Sequence, residues 1–180
     1  EGFAQVQWLR RDLRYQVHLD VFIGPRFAPL VTRRMSSDGD ITEQGLRPRR
    51  YDEETKVPLL EPRRVTVLIE PDRVVLAGGA TAPVVPGLQD SASQFVQMTW
   101  LFTTQPQSLR VGGSVEVPLV LPRKVDRWVY DIAAEESVRT PVGNIAAFYV
   151  KPRRETPAPG DLAVEAWFAP SLQYLPVRIR

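Results

Sequence analysis

The chain has one histidine, and this histidine together with a nearby carboxylate is the first pair of residues that could support catalysis. His18 and Asp20 are two residues apart, so a strand would place them on the same face. A histidine oriented by a carboxylate can act as a general base toward a serine or cysteine nucleophile. The chain contains no cysteine, and no serine can be placed beside this pair from the sequence. We therefore predict no catalytic triad and expect His18 to be a half-exposed strand residue.

Two acidic groups and two glycine pairs are the other candidates for chemistry. Asp38, Asp40 and Glu43 lack the run of oxygen ligands at alternating positions that a calcium loop requires. Neither Gly78-Gly79 nor Gly112-Gly113 leads into a helix, as a phosphate-binding loop does. A second group of carboxylates could in principle perform acid and base catalysis, and it consists of Asp126, Asp131, Glu135 and Glu136. Adjacent charges of this kind are more commonly found at exposed strand ends. We predict a protein that is not an enzyme, with no catalytic residue, no metal site and no cofactor.

Aromatic side chains are the candidates for ligand binding. They are more numerous than the core of a thin sheet needs, and such rings can line an apolar groove for a lipid or another hydrophobic small molecule. The alternative is that each ring simply fills the core. The predicted ligand-binding residues are Trp100, Trp128, Tyr130, Phe148, Trp167 and Phe168.

The charge of the chain does not predict a nucleic-acid partner. Lys and Arg number 23 and Asp and Glu number 21, which gives a formal net charge of +2. Adjacent arginines on a strand point to opposite faces, so a pair alone cannot form a one-sided phosphate-binding patch. We expect these arginines on solvated faces, at Arg10-Arg11, Arg33-Arg34, Arg49-Arg50, Arg63-Arg64 and Arg153-Arg154.

Length and hydrophobic patterning predict a single β-rich domain over residues 1–180. Alternation is clear from Leu13 to Ile23, and Asp38-Gly39 is a typical tight-turn sequence for the next hairpin. The acidic run 52–54 is predicted to be an exposed loop. Short strands with turns at this spacing predict an all-β fold, an antiparallel meander forming a barrel or half-barrel. No apolar run reaches the roughly 18 residues that a membrane-spanning helix needs.

One short central helix is predicted in the middle of the chain. Ser91 and Gln94 resemble a capping box, and Asp90 favours a helix N-terminus. Gln105-Pro106 ends the element. Its buried face is predicted from residues that recur at helical spacing, which are Phe95, Met98, Thr99 and Phe102.

The last twenty residues predict a β-hairpin. Alternation over 162–167 indicates the first strand, and Ala169-Pro170-Ser171 has the residues of a turn. The return strand is predicted from Leu175 to Arg180. Pro176 has no amide donor, so this strand is expected at a sheet edge.

This hairpin resembles the closing segment of an uncharacterised bacterial cell-envelope family, domain of unknown function 3108. Three other stretches resemble family segments in the same order, at 38–51, 89–95 and 140–144. The resemblance implies export to the periplasm after removal of a signal peptide. It also implies a leading segment before Glu1, because the family's glycine-rich opening strand is not recognisable in this sequence.

Three hypotheses for function follow. The first is a periplasmic, non-enzymatic binding or carrier module for a lipid, acyl or envelope-polymer ligand. The alternative is a protein–protein interaction scaffold in cell-envelope biogenesis, which would dock a partner through the edge near Pro176 or the arginine pairs. The third is an envelope hydrolase, whose activity would depend on Asp126 or His18.

Overall fold

The computed structural model of the chain describes residues 2–25, 27–153 and 164–180. Besides 3-10 turns at Pro106–Ser108 and Pro170–Leu172, the described residues form one α-helix, α1 (Gln94–Thr104), and strands. The strands are β1 (Gly2–Arg11), β2 (Arg14–Ile23), β3 (Val31–Thr42), β4 (Gly45–Lys56), β5 (Arg63–Ile69), β6 (Arg73–Val75), β7 (Thr81–Pro83), β8 (Gln89–Asp90), β9 (Ser114–Leu121), β10 (Lys124–Thr140), β11 (Gly143–Pro152), β12 (Ala166–Ala169) and β13 (Leu175–Ile179).

The strands form two sheets. The first has the order β1-β2-β3-β4-β5-β6-β7, and every neighbouring pair is antiparallel. The second has the order β13-β12-β11-β10-β9-β8, in which β8 and β9 pair in parallel. Among the described residues β1 and β7 are edge strands, so the first sheet does not close into a complete barrel. It is a curled half-barrel. The predicted all-β fold, with its antiparallel meander and one short helix, is confirmed.

The chain divides into two compact units. The first comprises Glu1–Ser93 and Pro118–Asp126, and the second comprises Gln94–Val117 and Arg127–Arg180. The single domain predicted over 1–180 stays a prediction. No helix in the described part of the chain is long and apolar enough to cross a membrane.

The core of the first unit lies on one face of the first sheet. Tyr15, Val17 and Leu19 are at most 2% exposed, whereas the residues that alternate with them on β2 are not buried. This is the period of two expected for a half-buried strand. The same face carries Tyr51 and Val67, which are fully buried on β4 and β5.

The helix and the closing hairpin belong to the second unit. Helix α1 buries Phe95, Met98 and Phe102, as the sequence predicts, whereas Thr99 of the predicted face is half-buried. The Phe102 ring meets the Phe168 ring of β12 edge to face, with centroids 5.1 Å apart. Strands β12 and β13 form the predicted hairpin, but Leu162 and Ala163 of its expected first strand lie outside the described residues.

Two local predictions for the first sheet are wrong. Asp38 and Gly39 lie inside β3, and the turn of that hairpin is Glu43-Gln44. Gly39 serves packing instead, because a Cβ there would lie 2.1 Å from the Arg47 carbonyl oxygen of β4. The acidic run 52–54 is part of β4 and is half-buried, since basic and hydroxyl side chains on neighbouring strands pair with it.

Candidate functional site

A row of polar side chains crosses the face of the first sheet opposite its core. The strand registers pair each member with the next, so that the five residues form one line across β1 to β5. None of the five lies on the apolar face, because alternation sends their neighbours inward. The row consists of Gln7, His18, Ser36, Asp52 and Thr66.

A second, charged row runs beside the first. Its members alternate in sign along the registers, in the order Asp20, Arg34, Glu54 and Arg64. The two rows and Arg50 line a cleft of about 610 Å³. This volume is large enough for a small ligand or a few units of a polymer.

Ion pairs fix one side of this cleft. Arg50 donates two hydrogen bonds to the Asp52 carboxylate, from Nε at 2.6 Å and from Nη2 at 3.0 Å. The Thr66 hydroxyl also donates to Asp52, at 2.5 Å. Glu54 lies between Lys56, at 2.9 Å, and Arg64, at 2.7 Å. These hydrogen bonds hold the pKa of the Asp52 and Glu54 carboxyls below their usual values. Both acids are therefore ionised at neutral pH.

The other side of the cleft has side chains without partners. Asp20 and Arg34 stand directly opposite each other on β2 and β3, yet no ion pair joins them. In the described part of the chain, His18, Asp20 and Arg34 make no side-chain hydrogen bond or salt bridge. A carboxylate, a guanidinium and an imidazole are thus available to a ligand, and together they offer both acceptors and donors. No group of three potential metal ligands occurs among the described residues.

The sequence suggested His18 and Asp20 as a pair, and the structure brings both into the cleft. Sequence reasoning did not assign Arg34, Arg50 and Thr66 to this site, because these residues come from strands that only the sheet places side by side. The charged residues of each strand were visible in the sequence, but the register that aligns them into rows was not.

Three of the six predicted ligand-binding residues are deeply buried on one side of the second sheet. Trp128 and Tyr130 stack on β10 with ring centroids 6.2 Å apart, and each is 1% exposed. The Tyr130 hydroxyl donates to Oε1 of Gln94 at 2.5 Å, and burial raises its pKa. Phe168 is fully buried, and the half-buried Phe148 is its cross-strand partner. These rings act as core residues of the second unit.

Trp167 is on the opposite face of that sheet. It pairs with Tyr149, whose ring stacks on it at 4.7 Å, and its indole nitrogen donates to Glu136 at 2.7 Å. The guanidinium groups of Arg178 and Arg180 lie 5.3 and 5.6 Å from the indole ring centroid, within range of a cation–π interaction. Trp167 is only 3% exposed. Its surroundings enclose it.

Trp100 is half-buried on helix α1 and is not among the buried residues of that helix. The six aromatic residues therefore do not converge on one groove in the described structure. Trp167 and Phe168 are adjacent on β12 and point to opposite faces of the sheet, and Trp100 is not on the buried side of α1. Ligand binding by these six residues stays a prediction.

A buried carboxylate that sequence reasoning treated only as a helix-capping residue forms a polar cluster in the first unit. Asp90 is fully buried; its Oδ2 accepts from the Ser37 hydroxyl at 2.5 Å, and the Tyr15 hydroxyl bonds to Ser37 at 2.9 Å. Its Oδ1 accepts from the backbone amides of Ala92 and Ser93, at 3.0 and 2.8 Å. Burial raises the pKa of Asp90 to about 6, although these hydrogen bonds act in the opposite direction.

Comparisons with known proteins match the chain to a family without an assigned activity. A family model described as "protein of unknown function (DUF3108)" matches residues 5–180. No curated protein matches the chain. Among solved structures, a DUF1089 family protein from Pseudomonas aeruginosa is similar over 99% of this chain and 89% of its own, at 13% sequence identity and a TM-score of 0.49.

Proposed function

The chain belongs to the DUF3108 family of proteins of unknown function, and we propose that it is a non-enzymatic binding module that holds a polar polymer of the cell envelope in its cleft. The observation that carries the proposal is the unpaired state of Asp20 and Arg34. Facing charges on neighbouring strands normally pair across the sheet. Here each is left available inside a cleft of about 610 Å³.

The lining of the cleft favours a polymer over a lipid or acyl chain. Its lining residues include no Phe, Tyr or Trp, and only Met35 and Val65 are apolar. An acyl chain would gain little from such a surface, and the charged groups would lose water without replacement. A glycan with hydroxyl, amino and carboxyl groups can instead bond to Asp20, Arg34 and His18.

Two observations favour binding over catalysis. The carboxyls with lowered pKa, Asp52 and Glu54, are held in ion pairs and are poor proton donors at neutral pH. His18 makes no hydrogen bond to a nucleophile in the described structure. We place the protein in the periplasm, because its sequence resembles a cell-envelope family.

Calorimetric titration with soluble cell-wall fragments that carry hydroxyl, amino and carboxyl groups tests the proposal. We expect Asp20→Asn and Arg34→Gln each to weaken binding about tenfold or more, because each removes a charge-assisted hydrogen bond worth roughly 1.5–3 kcal/mol. Both positions are on the surface side of the sheet, so the fold should not change.

Matched controls come from the second unit. Glu135→Gln and Arg139→Gln make the same chemical changes at exposed residues of β10 and should leave the affinity at the wild-type value. Equal losses in the cleft variants and the controls would argue for nonspecific charge effects. A fragment series that gives no heat of binding to the wild type would reject the cleft as a glycan site.

A further inference from the structure

Two loops of the first unit present large apolar side chains to solvent. In the β2–β3 connection Phe27 is 92% exposed and Leu30 is 61% exposed. In the β4–β5 connection Leu59 is 105% and Leu60 is 67% exposed. Single exposed apolar residues are common on protein surfaces, but a group of four large ones marks an interaction surface.

The strand registers place both loops at the same end of the sheet. Ile23 pairs with Val31 at the end of the first hairpin, and Thr55 pairs with Arg63 at the end of the second. Strands β3 and β4 connect these hairpins through the pair Thr32 and Lys56. Because neighbouring strands are about 4.8 Å apart, the centres of the two loops are about 10 Å apart. We call the four exposed side chains the apolar tip.

The backbone at Leu59 offers no local reason for a leucine. The amide of Leu60 donates to the Val57 carbonyl at 3.1 Å, which closes a turn with Pro58 second and Leu59 third. Leu59 has a φ of 67°, in the left-handed region. The third position of such a turn favours glycine or asparagine. An exposed leucine there satisfies neither packing nor backbone preference.

Basic residues lie at the strand ends next to the apolar tip. The three rows of paired residues nearest the loops contain three basic side chains and no acidic one, and these are Lys56, Arg33 and Arg63. Arg33 pairs with Glu53 at 3.6 Å and Lys56 with Glu54 at 2.9 Å, whereas Arg63 has no side-chain partner in the described part of the chain. The second loop itself adds Glu61, which is exposed.

We propose that this end of the sheet docks on the surface of a bilayer that contains anionic phospholipid. The apolar tip enters the boundary between headgroups and acyl chains, and Arg63, Lys56 and Arg33 contact the phosphates. Apolar residues that protrude beyond a basic rim are typical of proteins that bind a membrane interface. The inference does not depend on the cleft, and it identifies how the binding module would be held at the envelope.

Sedimentation with vesicles tests the docking. Vesicles of phosphatidylcholine with phosphatidylglycerol should bind the wild-type protein, and vesicles of phosphatidylcholine alone should bind it at least tenfold more weakly. Raising the salt concentration should weaken the first interaction, because exposed charges are screened. Arg63→Gln should weaken it as well.

Leu59→Gly separates membrane binding from folding. Glycine suits a positive φ, so the melting temperature should not fall, while vesicle affinity should drop at least tenfold. Leu13→Gly is the matched control, since Leu13 is 66% exposed in the turn at the opposite end of β2. It should retain wild-type vesicle binding.

Three results would overturn the proposal. One is wild-type protein that does not sediment with anionic vesicles. Another is an equal loss of binding in Leu59→Gly and Leu13→Gly. The third is an oligomer in vesicle-free solution that Leu59→Gly converts to monomer while vesicle binding stays unchanged, which would make a second copy of the chain the occupant of the apolar tip.

Discussion

We expect the wild-type protein to lose stability as the pH rises from about 5 to 8, and replacing Asp90 by asparagine should remove most of that loss. The Asp90 carboxyl is fully buried in the first unit, beside the buried hydroxyls of Ser37 and Tyr15. Its pKa rises from 3.8 to about 6 because burial penalises the ionised form more than the hydrogen bonds favour it. The folded protein therefore holds this proton more tightly than the unfolded chain does.

Linkage converts this difference into a free energy. Unfolding releases the proton between the two pKa values, so the raised folded pKa makes stability fall as the pH increases through that window. The shift from 3.8 to about 6 is about 2 pKa units, which at 1.36 kcal/mol per unit gives a total of about 3 kcal/mol. About 1.4 kcal/mol of it falls between pH 5 and 8. Acids with lowered pKa, such as Asp40 and Asp52, act below this range.

Urea unfolding followed by tryptophan fluorescence measures the effect at several pH values. Asparagine can still accept from the Ala92 and Ser93 amides and can donate to Ser37, so Asp90→Asn keeps the cluster while removing the ionisation. The wild type should lose about 1.4 kcal/mol of unfolding free energy across the range, and the variant should lose little. Glu135→Gln is the control, because it makes the same carboxyl-to-amide change at an exposed residue of β10, and it should keep the wild-type slope.

A second variant protects the test if Asp90→Asn folds poorly. The Ser37 hydroxyl stabilises the ionised carboxyl, so Ser37→Ala should raise the pKa of Asp90 further and move the loss of stability to higher pH. A wild type whose stability is flat between pH 5 and 8 would refute the reasoning. So would an Asp90→Asn variant that keeps the full wild-type slope.

Two further predictions concern stability, one in each unit. Gly39→Ala should cost about 2–3 kcal/mol in urea unfolding, because the added Cβ would lie 2.1 Å from the Arg47 oxygen and 2.8 Å from Pro48 Cα and would push β3 and β4 apart; an unchanged midpoint would show that the strands can separate freely. Tyr130→Phe should cost about 1–2 kcal/mol, because the buried amide oxygen of Gln94 loses its 2.5 Å hydrogen bond. A melting temperature of Tyr130→Phe equal to that of the wild type would contradict this value.

The limits of local sequence reasoning are clearest at Gly39. Asp38-Gly39 has the residues of a tight turn, and the chain uses them inside a strand. The glycine is needed because β4 approaches too closely for a side chain, at a point where the β3–β4 register shifts. Close approach between two strands is a property of their pairing, so no window of a few residues could predict it.

Aromatic content was an equally incomplete guide to the candidate site. Trp128, Tyr130 and Phe168 were predicted from their size and number, and the structure buries all three. The cleft is lined by charged residues, such as Asp20 and Arg34, and the sequence around each of them does not indicate a binding site. We propose them as ligand contacts because they face each other without pairing, and this depends on side-chain geometry.

The sequence by itself determined the class of fold, the position of the helix and the closing hairpin. These follow from periodicity and turn residues, which act over a few neighbouring positions. Only the tertiary structure decided which polar residues share the cleft, that Asp90 lies buried beside Ser37, and that two distant loops form one apolar tip. The cleft and the apolar tip depend on the register between neighbouring strands, and the Asp90–Ser37 hydrogen bond joins residues 53 positions apart, so none of these features is contained in a window of a few residues.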